Sequence, residues 1–454
     1  MFENKKYLQE LITIFAEFRN EFKMDKNIRY SFFIMIAFLL GSIAMMYVNL
    51  FNILILGGIL LNFCIARKEF IANMRSSGLF LKLPLFILLY LGIHTLVLKV
   101  LGTGSVKYSY SIFEALLLYF LGIPLYICSV KDILDRMLLK YSLLAFVGGV
   151  MCFNLVAFFS LTGAGLFQSP VVAISQLSAS RFGGNKEILG DFVFLEPQAL
   201  YISMAALIVF YFTMVSKLWK QRGICLLLFF ILLFFLSLTE TKSAFLAFSA
   251  GMIIILVYFL KRRTLKYKLG VVGVVVVLAI LSFIFVPASL KQRLQLAKTE
   301  LNDVLNNDFK QGGTIVPRVV LYKTNLSHLN EFGVWGLGVA YSNTVKQWYN
   351  DSVSVTNGLT DPHNSFMYFW LVGGIPGLLF VLGLFVLPLW RMFRNKQFSF
   401  FVLALWGAML IVNNTTVLLS LNDSRPLILF FLALLYWKGE LFWQLEKKLI
   451  TQNS

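Results

Sequence analysis

Apolar runs of about 17–25 residues, the length a helix needs to cross a bilayer, follow one another along almost the whole of this chain. That succession restricts the fold more than any single motif does. Composition agrees with it: 59% of the 454 residues are hydrophobic and only 14% are charged, far from the balance of a soluble domain. The sequence predicts an all-α polytopic membrane protein. The stretch 31–66 is too long for one span and splits near Asn49 into a hairpin. Further spans are expected at 80–101, 112–130, 139–159, 199–215, 224–238, 243–260, 269–286, 365–387, 398–417 and 426–437, which makes about twelve.

A formal charge of +18 raises the question of a nucleic-acid partner. The basic residues gather at span ends, however, as the positive-inside rule requires, and this excludes that class. With the N-terminus inside, the inner segments hold the larger share of the 40 Lys and Arg, including the turns KRRTLKYK after Leu260 and RMFRNK after Trp390. Both termini are then cytoplasmic, and the long loops 161–196 and 288–364 face outward. Residues 1–30 carry Leu8, Leu11, Ile12, Phe15, Phe18 and Phe22 at helical spacing among basic residues, the pattern of an amphipathic helix on the inner surface. They lack a small-residue cleavage site, so no removable signal peptide is expected. Cys64, Cys128, Cys152 and Cys225 lie in or beside apolar spans without metal-ligand spacing and read as small core hydrophobes. The expected organisation is an N-terminal segment (1–30), nine spans (31–287), a large outer loop (288–364), three spans (365–438) and a cytoplasmic tail (439–454).

The polar weight of the chain falls in 318–370, which holds two of the three histidines. Leu290, Leu294, Leu301, Val304 and Leu305 outline one amphipathic loop helix. Val319, Tyr322, Leu326 and Leu329 mark one side of a second, which starts after Pro317, and Gly333, Gly336 and Gly338 punctuate the stretch beyond it. The large loop therefore reads as a folded cap. Five cations face outward: Arg181, Lys186, Lys242, Arg318 and Arg425. A charge at a membrane interface is costly unless it snorkels or meets an anion, and the guanidinium fork matches phosphate oxygens. Either account fits these cations, with Arg318 and Lys242 the stronger anion candidates. His363, in DPHNSF at the start of a span, has the chemistry to take a proton from an attacking hydroxyl, and Asn364 to position it or the acceptor; a helix-capping role is the plainer alternative. His328 reads as structural. His94 and Glu114 are ionisable groups within spans, and Asp351 and Asp361 are scattered acids that could bind a cation. HExxH, paired CxxC and the phosphate-cradling GxxxxGK[ST] pattern are absent, which argues against ATP hydrolysis.

The order TETKSAFLAFSAG, a long loop with Arg318 and WGLGVAY, then DPHNSFMYFWLVGGIPGLLF resembles the O-antigen ligase and O-antigen polymerase superfamily of bacterial envelope glycosyltransferases, most clearly over residues 190–390. Where the family usually has Ser-Arg or Thr-Arg, this chain has Lys242, which keeps the charge and loses the fork. The resemblance implies a GT-C-like body with a large, partly helical periplasmic loop in the bacterial inner membrane. It implies transfer of a glycan from undecaprenyl pyrophosphate to a sugar hydroxyl, with inversion, without metal or other cofactor, at the periplasmic face. His363 is then the base, with Asn364 beside it, and Arg318 and Lys242, joined by Arg181 and Arg425, hold the donor pyrophosphate. The acceptor is a lipid A core sugar if the chain is a ligase, or a second lipid-linked glycan if it is a polymerase. Transfer to protein, and a twelve-span transporter or flippase, are the remaining alternatives. A transporter would show two similar halves with polar groups at mid-membrane, and here the polar groups sit in one loop of the second half.

Overall fold

The computed structural model describes residues 48–65, 67–101, 109–132, 134–162, 195–216, 218–261, 288–307, 309, 315–352, 356, 358–421 and 424–451. Among the described residues the secondary structure is helical, without strands. Helix α1 spans Val48–Ile65, α2 Arg67–Arg75 and α3 Leu79–Val100. The short α4 (Ser109–Ala115) runs through a π-helical turn, Leu116–Leu121, into α5 (Gly122–Val130). There follow α6 (Arg136–Thr162), α7 (Leu195–Val215), α8 (Trp219–Thr239) and α9 (Lys242–Lys261). The cap contains α10 (Ala288–Leu305), α11 (Val316–Ser327), the single turn α12 (Leu329–Phe332) and α13 (Tyr341–Ser352). The last three are α14 (Ser365–Arg394), α15 (Phe400–Thr415) and α16 (Arg425–Thr451).

Eight stretches among the described residues are long and apolar enough to cross a membrane, and α1 and α15 are shorter apolar helices. Each lies on an expected span. The expected span at 269–286, the hairpin's first half before residue 48, the amphipathic segment 1–30 and most of the loop 161–196, with Arg181 and Lys186, lie outside the described residues. The last span is expected to end at Trp437. The helix instead continues through a non-helical Lys438 (φ −127°, ψ 19°) to Thr451, where Leu441, Phe442 and Leu445 remain part of the buried core.

The bundle is organised around α7 and α16. Every residue from Ala199 to Val209 and from Leu427 to Trp437 is buried, which is why these helices read as apolar on all sides. At the periphery α3 turns Leu85, Phe86, Leu89, Ile93 and Leu96 away from the protein, as a lipid-facing helix does. Small residues draw helices together where lipid supplies no hydrophobic drive. A Cβ added to Gly251 of α9 would lie 2.6 Å from Leu207 and 3.2 Å from the Ala404 carbonyl of α15. With Tyr258 stacked on Phe400, this contact runs α9 antiparallel to α15 and brings Lys242 to the same end of the bundle as Thr415.

Helix α14 is broken inside its span, and the break holds the cap. Gly374 has φ 59° and ψ −148°, and Pro376 follows it. In an unbroken helix the Ile375 N–H would reach the Leu371 carbonyl, while Pro376 offers no N–H to Val372. The cap fills these vacancies. Leu337 N–H donates to Leu371 O (2.7 Å), Gly338 N–H to Val372 O (3.0 Å), and Ile375 N–H to Val334 O (3.0 Å). Irregular backbone at membrane depth persists only where protein satisfies it. Phe332, Val345, Trp348 and Tyr349 then pack on Leu371 as a small core of the cap's own.

This exchange needs glycine on both sides. A Cβ at Gly336 would sit 2.5 Å from the Gly374 nitrogen, and Gly374 itself occupies a backbone region open essentially to glycine alone. Gly374→Ala is therefore expected to destabilise the protein by roughly 3 kcal/mol. The check is thermal unfolding in detergent, with Gly148→Ala as control, since nothing lies within 4 Å of a Cβ there.

Candidate functional site

The segment DPHNS, from Asp361 to Ser365, delivers the cap chain into α14. Pro362 disfavours helical backbone at Asp361, and His363 is left-handed (φ 49°), an uncommon state for a residue with a side chain. Asp361 stabilises it twice. One carboxylate oxygen accepts the His363 backbone N–H at 2.9 Å and lies 2.5 Å from ring Nδ1. Both side chains are about one-third exposed, His363 at 35% and Asp361 at 31%.

Asn364 caps α14. Its Oδ1 accepts the N–H groups of Phe366 (2.8 Å) and Met367 (3.1 Å). Its Nδ2 donates to the Asn414 carbonyl (3.2 Å) and to the Tyr322 hydroxyl (3.4 Å), and that hydroxyl donates to the same carbonyl (3.0 Å). The amide's bonding capacity is thereby occupied, and Asn364 joins the start of α14 to the end of α15 and the middle of α11. Ser365 extends the network to the loop after α15. Its Oγ donates to Asn413 Oδ1 (2.8 Å) and accepts the Leu419 N–H (3.2 Å), while the Leu419 carbonyl accepts Arg425 Nε (2.6 Å). One backbone residue thus links the start of α14 to Arg425.

Five of the six expected site residues lie toward this cap end: His363 and Asn364 are joined by Arg318, Lys242 and Arg425. Arg318 lies one turn before Tyr322 on α11; it is half-buried, and its buried Nε has no hydrogen-bond partner among the described residues. Lys242, the first residue of α9, is exposed. Arg425, only 5% exposed, begins α16. Its guanidinium meets the carbonyls of Leu419 and Ser420 and the ring faces of Tyr119 (5.3 Å) and Phe120 (5.8 Å). The π-helical turn supplies those two rings, and such turns often mark functional sites. Beside Arg425 opens a cavity of about 270 Å³, lined by Leu116, Phe120, Tyr368, Phe369, Leu419 and Ser420 among others. Tyr368 makes an edge contact with Tyr341 of α13 (5.4 Å) and connects the cavity to the side of Asp361. Burial, with the charges of Tyr368 and Asp361 added, pushes the Tyr341 phenol well above its ordinary range, so it stays a neutral donor.

The other polar residues separate from this group. His328 stacks on Trp348 (4.3 Å), and its Nδ1 meets the Thr324 carbonyl (2.9 Å), a structural role within the cap. His94 stacks on Tyr90 (5.7 Å) and abuts the Gly338 turn. Glu114 lies within electrostatic reach of Arg425. The buried side of α11 is Val320, Leu321, Thr324 and Asn325, whereas Leu326 is 52% exposed. The expected apolar face is thus rotated, because Asn325 is buried to receive the Tyr349 hydroxyl (3.0 Å).

Residues 227–382 match a family model described as O-antigen ligase. Over this stretch, about a third of the chain, it is similar to the O-antigen ligase family. The matched stretch runs from α8 to the middle of α14 and takes in Lys242, Arg318, His363 and both glycines of the cap insertion. Among curated proteins no match was found. The backbone hydrogen bonds between Val334–Gly338 and α14 explain why the GGIPG and WGLG motifs belong together: each supplies the backbone groups that the other lacks. Asp361 as the partner of His363, and the cavity beside Arg425, are what the residue-by-residue reading missed. The Asp-Pro-His order was the available signal for the first, since an Asp two residues ahead commonly closes such a turn. A π-helical turn leaves no mark in a uniformly apolar span.

Proposed function

We propose that this chain moves a glycan from undecaprenyl pyrophosphate to a sugar hydroxyl on the periplasmic face of the bacterial inner membrane, with a lipid A core sugar as acceptor. The supporting observation is the gathering at one end of an apolar bundle of His363, Arg318 and an Arg425-lined cavity. The cavity is part greasy and part cationic, as a lipid diphosphate is part tail and part charge. Arg425 sits at a helix N-terminus, so the helix dipole adds to its attraction for an anion.

In this reading the acceptor oxygen attacks the anomeric carbon from the face opposite the diphosphate. The bond from that carbon to the diphosphate oxygen breaks as the new glycosidic bond forms, inverting the centre. His363 Nε2 takes the hydroxyl proton, and the diphosphate leaves with the bonding electron pair. The leaving group is good, so fixed cations at its developing charge contribute most of the rate. Arg318 offers an Nε without a partner among the described residues, Arg425 the rim of the cavity, and Lys242 and Arg181 further charge. No step here requires a metal.

Purified protein in vesicles, given lipid-linked donor alone and then donor with lipid A core, tests the acceptor. A single product that needs the core is expected. A ladder from donor alone would make the chain a polymerase, and no transfer in either case would refute the glycosyltransferase reading.

A further inference from the structure

We propose that Asp361 is a positioning residue for His363, turning the imidazole so that Nδ1 carries its proton toward the carboxylate and Nε2 faces the acceptor. This rests on the reading of His363 as the base. The geometry supports it in three ways. First, the same carboxylate oxygen holds both the His363 backbone N–H (2.9 Å) and ring Nδ1 (2.5 Å), fixing backbone and side chain together. An ionised carboxylate only accepts hydrogen bonds, so its partner nitrogen must be the donor and the other nitrogen the free base. Second, both donors converge on one oxygen of the carboxylate, so a cation at that oxygen would have to displace both. Third, Pro362 and the left-handed residue after it keep the two side chains on one side of a rigid turn.

Other polar groups approach from several elements. Tyr341 and Tyr349 of α13 and Tyr368 of α14 lie in the field of Asp361. Tyr322 of α11 holds the neighbouring Asn364. Arg425 of α16 faces Tyr368. Among the described residues Asp361 is the carboxylate that touches the ring. In the transfer step the acceptor O–H bond breaks, its proton joins Nε2, and its oxygen forms the glycosidic bond. The ring then carries a positive charge next to Asp361, until the proton passes to the departing diphosphate or to water.

The chain has three histidines, so 15N-histidine labelling with His363→Ala as the assignment control isolates the ring signal in detergent. A protonated Nδ1 and a bare Nε2 are expected. Asp361→Asn keeps an oxygen for the turn and loses the anion. It should lower kcat roughly 10–1,000-fold with donor KM nearly unchanged, and should abolish the Nδ1–H preference. A wild-type ring protonated on Nε2, or an Asp361→Asn protein that turns over normally, would overturn the proposal. If His363→Ala is inactive while Asp361→Asn is normal, only the role of Asp361 fails. If His363→Ala is fully active, the base assignment fails and this proposal with it. Should Asp361→Asn not insert, the wild-type ring signal decides alone.

Discussion

His363→Ala is expected to lower kcat by roughly 10²–10⁴-fold, the usual weight of a positioned general base. Donor binding should change little, because the cations that hold the diphosphate stay in place. The ring is 35% exposed, and its removal opens no core cavity. One structural effect must be separated from the chemical one. His363 is left-handed, a state that costs alanine about 1 kcal/mol. Asparagine tolerates that conformation better, so His363→Asn should fold as the parent does and still lack turnover. Tm and kcat measured together on both variants distinguish chemistry from folding. Normal turnover in a correctly inserted variant would remove His363 from the reaction.

Arg318→Ala should reduce kcat/KM for the lipid-linked donor by roughly 10²–10³-fold, comparable to removing one preorganised donor at a developing oxyanion. Its Nε is buried and forms no hydrogen bond among the described residues. A guanidinium nitrogen in that position is costly to the folded protein unless a ligand occupies it. Truncation should therefore leave Tm close to the parent value, or raise it, while donor use falls. Arg318→Lys should recover only part of the loss, since lysine keeps the charge without the planar fork. Arg425 behaves differently. Its guanidinium already spans the carbonyls of Leu419 and Ser420, so substitution there is expected to cost stability as well as activity. Steady-state kinetics over a donor series, alongside thermal unfolding, checks both expectations; a large fall in Tm for Arg318→Ala with donor kinetics intact would contradict the first.

Much of the bundle was legible because lipid imposes one requirement, a long apolar run, and each described helix of membrane-spanning length sits on such a run. The cap's helices were legible as helices from Pro317 and the spacing of α10 and α11, but their buried faces were not: Leu301 and Leu305 of α10 are 51% and 72% exposed. The cap's docking was not legible, because the three hydrogen bonds between Val334–Gly338 and α14 depend on backbone groups that no side-chain pattern reports. Only the glycines and Pro376 hinted at them. The same reason hid the rotated face of α11: burial of Asn325 follows from a tyrosine 24 residues away, a contact that helical periodicity cannot encode. Within the site, His363, Arg318, Lys242 and Arg425 stood out as polar residues in an apolar chain. Asp361 looked like a scattered acid until the turn brought it against the ring.

A cryo-electron microscopy structure of His363→Asn with an intact polyprenyl pyrophosphate glycan bound would show donor and site together. The diphosphate is expected between Arg318 and Arg425, the polyprenyl tail running into the apolar cavity, and residue 363 opposite the departing oxygen across the anomeric carbon. A diphosphate bound at the far end of the bundle, or at the cap end out of reach of both arginines, would contradict the assignment of this site.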